Sequence, residues 1–310
     1  MSQPLHIGCR PTKLGEVAGN KPAIKMLNNI LNRNLVDIPH AWLFTGPYGT
    51  GKTTLASISA DLLGCSETDC HAFNSANMRG IETIRNIVAT ASLAPAIGDV
   101  KVYIFDEVHM WTKDAKEAAL KLLENPPENV FFFLVTTNPE RLSKGILSRC
   151  TNVVTKLLTN MELNKLLTDI CISEKIDLTE IILEEIVNMS AGCARDAVKL
   201  LDQVYTLEDE DDMLDIIENF SSVDMDHKDL CKALLNHASW EEIGEILNGI
   251  PTHKAESTRF GVLNYVGPIH IRTGDPYMAH ILEEFKHNYF DSGKVGLQLS
   301  CHASLQFEEE

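Results

Sequence analysis

The sequence predicts an α/β protein built on a parallel five-stranded sheet, with helical regions after it. Three observations carry this. Residues 46–53 read Gly-Pro-Tyr-Gly-Thr-Gly-Lys-Thr and fit the pattern GxxxxGK[ST] without a mismatch, between an apolar run and a helix-spaced stretch. Residues 100–107, Val-Lys-Val-Tyr-Ile-Phe-Asp-Glu, drive β-forming side chains straight into two carboxylates. Strand-like and helix-like segments then alternate as far as residue 155, as parallel strands with right-handed crossovers require, and beyond it the strand pattern stops.

Taken in order, residues 10–20 begin with Arg10-Pro11 and pass through Val17. They precede an amphipathic helix in which Ile24, Leu27, Ile30 and Leu31 recur at three- and four-residue spacing. Lying just before the phosphate loop, this segment is a candidate wall for a nucleotide base. Ala41–Thr45 is the first strand and Thr54–Leu63 the helix after the loop. Gly46, Gly49 and Gly51 let the backbone turn tightly, so that its N–H groups meet phosphate oxygens beside the positive end of that helix. Pro47, Tyr48, Thr50 and Thr54 complete the loop; Lys52 would reach the β- and γ-phosphates, and the Thr53 hydroxyl would hold Mg²⁺.

Asp69–Phe73 reads as the second strand and Asn77–Leu93 as a helix ending before Ala94-Pro95. The third strand sets Asp106 and Glu107 at its C-terminal end, where open α/β sheets bind ligands. Asp106 is expected to support the metal and Glu107 to polarise an attacking water. Lys113–Glu124 is a helix stopped by Asn125-Pro126-Pro127, Val130–Thr136 a buried strand, Ser143–Leu147 a short helix and Asn152–Thr155 the last strand. Helices are expected at Leu157–Ile172, Leu178–Met189 and Ala194–Tyr205, then at Lys228–Leu235, Trp240–Leu247, Tyr277–Phe290 and Val295–Leu305. The acidic run 208–212 reads as a solvated linker.

The chain of 310 residues carries a formal charge of -17, which argues against a surface wholly coated with nucleic acid but leaves room for a local basic groove. No apolar run reaches the roughly 18 residues of a membrane span, and the first ten residues lack a signal-peptide core. The eight cysteines form no CxxC pair, as expected of reduced thiols in a cytoplasm. Cys65, Cys70 and His71 cluster, but a closed zinc site needs four ligands, so zinc is not expected.

These residues together resemble the clamp-loader branch of the AAA+ ATPases, most closely the gamma/tau subunits of the bacterial replicative loader. The resemblance runs over residues 10–205: Arg10-Pro11 with Val17–Asn20, the phosphate loop, Asp106-Glu107-Val108-His109-Met110, Leu122–Glu128, Thr136-Thr137-Asn138-Pro139, Ser148-Arg149-Cys150 and Gly192–Ala197. It implies an AAA+ domain at 1–155, a three-helix lid at 156–207, an acidic linker at 208–215 and a helical oligomerising collar at 216–310. ATP with Mg²⁺ is the expected cofactor. Thr137, with Asn138 as the alternative, would sense the γ-phosphate; Arg195 would contact phosphate in cis; and Arg149 would complete a neighbouring subunit's site in trans. Expected partners are a ring-shaped sliding clamp, primer–template DNA, further copies of this chain and a second subunit type. Arg79 and Arg85 are the candidate DNA contacts.

The family's Cys-rich zinc module has no counterpart here, and there is no long tail for helicase or polymerase. Such a compact form would suit a phage-encoded loader in a bacterial or infected-cell cytoplasm. Two other readings stand beside it. A branch-migration helicase of the AAA+ class would be expected to bring a basic winged helix, whereas residues 216–310 read as helical and not basic. A non-hydrolysing structural loader subunit would be expected to lose the phosphate loop or the catalytic Glu, both of which are present.

Overall fold

The computed structural model describes residues 4–75, 80–91, 93–218, 220, 226–250, 255–287, 289 and 292–307. They fall into two compact units, one running to Glu218 and the other from 219.

In the first unit, α1 (Leu5–Gly8) and α2 (Lys21–Leu31) precede β1 (Ala41–Thr45) and α3 (Lys52–Leu62). There follow β2 (Cys70–Asn74), α4 (Ile81–Ala91), β3 (Lys101–Asp106), α5 (Lys113–Glu124), β4 (Val130–Thr136), α6 (Lys144–Leu147) and β5 (Thr151–Val154). The strands form one sheet in the order β2-β3-β4-β1-β5, every pair parallel. β4 is central, buried throughout and apolar up to its terminal Thr136, as a strand covered on both faces must be. Alternation sends Phe131 and Phe133 to one face, where they pack with Trp42, Phe44, Leu27 and Leu55. Phe132 goes to the other face, with Tyr103, Phe105, Ile84 and Ala119. Each of these rings is almost fully buried and contributes roughly 1.5–3 kcal/mol. The layers are thus helix, sheet, helix, with the ends of β1, β3 and β4 set side by side: Thr45 pairs with Thr136, and Phe105 with Leu134.

Asp69 locks the approach to β3. Its buried carboxylate accepts from the Ser66 hydroxyl at 2.6 Å and from the amides of Ala96, Ile97 and Gly98 at 2.5, 3.1 and 3.2 Å. The Ser66 hydroxyl first, then those amides, hold it well below the ordinary carboxylate range. A depressed folded-state value means that its stabilisation is complete above about pH 4 and is lost as pH falls through the folded value. Asp69→Asn should therefore lower the melting temperature at neutral pH. Thermal scans should show the gap to wild type closing as pH drops below about 4; a gap that widened in acid would contradict this.

Three further helices, α7 (Asn160–Glu174), α8 (Glu180–Ser190) and α9 (Ala194–Val204), follow β5. α7 starts later than the expected Leu157. Thr159 caps it by accepting from Glu162 N at 3.2 Å, and Leu158 N donates instead to Gly192 O at 2.9 Å. The acidic linker expected at 208–215 is not a linker: α10 (Glu210–Glu218) occupies most of it and belongs to the first unit. Its acids lie at its N-terminal end, and Met213 and Ile217, four residues apart, are buried.

The second unit contains α11 (Asp226–Leu235), α12 (Trp240–Gly249), α13 (Ala255–Thr273), α14 (Pro276–Glu284) and α15 (Gly293–Ser304) around Leu234, Ile243, Val262, Val266, Phe285 and Leu297. α13 was not expected from the sequence, because Gly261, Gly267 and Pro268 interrupt its pattern. α14 ends at Glu284, short of the expected Phe290. Among the described residues no helix is long and apolar enough to cross a membrane.

Candidate nucleotide site

The loop between β1 and α3 is held from the side of β5. Thr155 N donates to Thr45 O at 2.7 Å, and the Thr50 and Thr155 hydroxyls lie 2.7 Å apart. Thr50 also donates to Pro47 O at 2.8 Å. Gly46 (φ 144°) passes so close to Thr155 that a Cβ would strike its carbonyl. At Gly49 (φ 70°) the Cys193 sulfur occupies the space a Cβ would need. Both contacts come from residues after the sheet, so the loop is shaped by the end of β5 and the start of α9 as well as by its own glycines. α3 begins at Lys52 with no side-chain cap, which leaves its first N–H groups for an anion.

The polar centre lies where the loop meets the ends of β3 and β4. Thr53 Oγ1 donates to Asp106 Oδ2 at 2.9 Å. Lys52 Nζ, nearly buried, donates to Pro47 O at 2.7 Å. Burial lowers the Lys52 pKa, and the charges of Glu107 and Asp106 resist that. Glu107 sits in the left-handed region at φ 55°. Its Oε2 is 3.1 Å from His109 Nδ1 and accepts from Thr137 Oγ1 at 3.3 Å. Burial alone would push the Glu107 pKa up; His109, the Lys52 charge and the Thr137 hydroxyl outweigh it and hold it below the ordinary value. The Thr137 hydroxyl is also 2.9 Å from Asn138 Oδ1, so its one hydrogen is contested by two acceptors.

Beside the loop opens a cavity of about 390 Å³. Arg10, Pro11, Val17, Tyr48, Gly49, Thr50, Gly51, Thr54 and Arg195 line it, all of them candidates read from the sequence. Arg10 Nε donates to Thr54 Oγ1 at 3.0 Å. The Arg195 guanidinium lies over the Tyr48 ring at 4.9 Å. Burial would lower the Arg195 pKa, but Tyr48, Cys193 and Asp106 outweigh it and keep the cation firmly charged. Sequence reasoning missed the apolar lining: Leu5 and Ile7 come from α1, and Leu158, Leu166 and Ile170 from α7 and the residues just before it. It also missed His109 as a partner of Glu107; its place two residues after Glu107 was the available signal.

Arg149 does not join this site. Its guanidinium pairs with Glu124 at the end of α5 and donates to Gly145 O at 2.8 Å, and it does not line the cavity. Arg85 is exposed on α4 and pairs with Glu82 at 3.1 Å, while Arg79 lies outside the described residues. The Cys65 thiol donates to Ser66 O at 3.6 Å; its interaction with Cys70 pushes its own pKa up and that of Cys70 down, whereas His71 packs against the Tyr103 ring at 5.2 Å. Among the described residues no group of His, Cys, Asp and Glu could hold a metal by itself.

Residues 67–159 match the family described as DNA polymerase III, delta subunit. The chain is 34% identical over 225 residues to DNA polymerase III subunit tau of Bacillus subtilis, covering 66% of this chain and 40% of the relative. It is 33% identical over 219 residues to subunit gamma of Buchnera aphidicola (64% and 60%) and 34% over 221 to subunit tau of Escherichia coli (64% and 34%). The chain thus spans less than two thirds of the length of each of these relatives. Among solved structures, the RuvB Holliday junction branch migration motor of Thermotoga maritima superposes with a TM-score of 0.62 over 84% of this chain and 91% of that one, at 22% identity. That likeness is one of fold. Over about two thirds of its length the chain is thus similar in sequence to the gamma and tau subunits of DNA polymerase III, and its fold is similar to that of the RuvB motor.

Proposed function

We propose that the chain is an ATPase subunit of a sliding-clamp loader, using ATP to open a ring-shaped clamp and set it on primer–template DNA during replication. The observation that carries the ATPase part is the convergence of Lys52, Thr53, Asp106, Glu107 and Thr137 at one edge of the loop. Kinship with the gamma and tau subunits supports the loader part.

In this reading the loop amides and Lys52 bind the phosphates, and the apolar cavity takes the base. Thr53 and Asp106 offer two hard oxygen donors 2.9 Å apart, which fits Mg²⁺; when bound it would neutralise charge on the β- and γ-phosphates. Glu107, held as a carboxylate, orients the attacking water and accepts its proton. Thr137 turns its single hydroxyl hydrogen according to what occupies the γ-phosphate position, with Asn138 as the competing acceptor. Arg195 ties the lid to the bound nucleotide. Arg149 faces away and serves the site of a neighbouring copy, with which this chain and a second subunit type assemble in the cytoplasm.

Measuring ATP hydrolysis by the full chain, with and without candidate clamp, partner subunit and primer–template, tests this. Turnover should rise when clamp and DNA are present. Brisk hydrolysis by the chain alone, indifferent to both, would refute the loader reading and leave a generic ATPase.

A further inference from the structure

Glu107 is the group on which hydrolysis depends, yet its backbone is strained. A non-glycine residue at φ 55° is in a disfavoured conformation and must be held there by its surroundings. The tight turn that follows, Val108–Met110, folds the His109 ring back toward Glu107. His109 Nδ1 then lies 3.1 Å from Glu107 Oε2 and 3.0 Å from Thr136 Oγ1. The carboxylate cannot donate, so Nδ1 must carry a hydrogen, which Glu107 Oε2 and Thr136 Oγ1 share as a three-centre bond; two lone pairs at that distance would repel. Thr136 is completely buried at the end of β4, and its hydroxyl also accepts from Asn138 N at 3.0 Å. Lys116 Nζ of α5 donates to His109 O at 3.3 Å. Thr136 of the central strand thus holds the imidazole, and Lys116 holds the backbone that carries it. The ring presents one N–H to the carboxylate.

We propose that His109 is a positioning residue for Glu107: its Nδ1–H, anchored on Thr136, sets the carboxylate at the angle that a water attacking the γ-phosphate requires. This rests on the ATPase reading above. His109 does not line the cavity, and its ring bonds Glu107 and Thr136 rather than Thr53 or Asp106, so its removal should leave nucleotide binding in place. A misplacement of the order of 1 Å at the base is expected to slow turnover about 10²-fold.

The test compares His109→Ala, His109→Asn and His109→Gln in the full chain, under whatever assembly supports wild-type turnover, with affinity for a fluorescent ADP analogue measured alongside. Asn can place an amide N–H near the position of Nδ1, whereas Gln places it near that of Nε2. The expected result is a fall in kcat of about 30- to 100-fold for Ala and Gln, with KM and nucleotide affinity within about twofold. Asn should recover most of kcat. Should Ala fail to fold, the contrast between Asn and Gln carries the test. Wild-type kcat in the Ala or Gln variant overturns the assignment, as does equal loss in Asn and Gln accompanied by weakened nucleotide binding, which is what a merely structural role would give. A wild-type chain that binds Mg–ATP but never turns it over, with any partner, overturns the ATPase reading and this assignment together.

Discussion

Lys52→Ala should abolish ATP turnover and weaken ATP binding by at least about 100-fold, because it removes a cation that nothing else in the loop replaces. Charge-assisted hydrogen bonds to phosphate are worth about 1.5–3 kcal/mol each, and a tenfold change in affinity is about 1.4 kcal/mol. The fold should survive. Pro47 O, the Lys52 acceptor, also accepts from the Thr50 hydroxyl, and Thr50 remains tied to Thr155. Removing a buried ammonium also removes a charge whose pKa burial already depresses. The melting temperature without nucleotide should accordingly stay within a few degrees of wild type. ATP should stabilise the wild type and fail to stabilise the variant. Lys52→Arg should rescue poorly, since a planar fork is longer than the ammonium it replaces in a site that leaves Lys52 nearly no exposure. Binding by Lys52→Ala within about threefold of wild type would remove Lys52 from the phosphate site.

What could be read from the sequence follows from where the determinants lie. Lys113–Glu124 forms over the expected residues because its stops are local, with Thr112 accepting from Ala115 N at one end and Asn125-Pro126-Pro127 at the other. Val130–Thr136 needed only its own run of six apolar side chains before Thr136. The phosphate loop and Asp106-Glu107 were legible for the same reason: in each, consecutive residues carry the chemistry. α10 was hidden because its acids dominate the composition while only Met213 and Ile217 face the interior. α13 was hidden because glycine and proline disfavour helix locally, and the burial of Val262 and Val266 overrides that preference. The base cavity is the least legible part. Leu158 and Ile170 line it only once α7 is in place, and Leu5 reaches it because its amide donates to Asp202 Oδ1 of α9 at 3.1 Å. The His109 contact depends on the left-handed turn at Glu107, which no periodicity encodes.

Arg149→Ala should lower ATP turnover in the assembled complex by about 10³-fold while leaving ATP affinity within a few-fold of wild type. The geometry gives the reason for separating the two effects. The guanidinium is committed to Glu124 and Gly145 on its own chain and is absent from the cavity lining, so its loss leaves the chain's own pocket intact. The pair with Glu124 is partly exposed and contributes at most about 1 kcal/mol, so it is a resting partner that a phosphate on an adjacent subunit can displace. Stability should likewise change little. The decisive measurement mixes this variant with Lys52→Ala, each inactive alone. In a ring or spiral of like subunits, a site between neighbours needs the phosphate loop of one and the Arg149 of the next. Random one-to-one mixing should then unite an intact loop with an intact arginine at about a quarter of interfaces, and turnover should return in that proportion. Were Arg149 to act within its own chain, every subunit in the mixture would still lack one of the two groups and no activity would return.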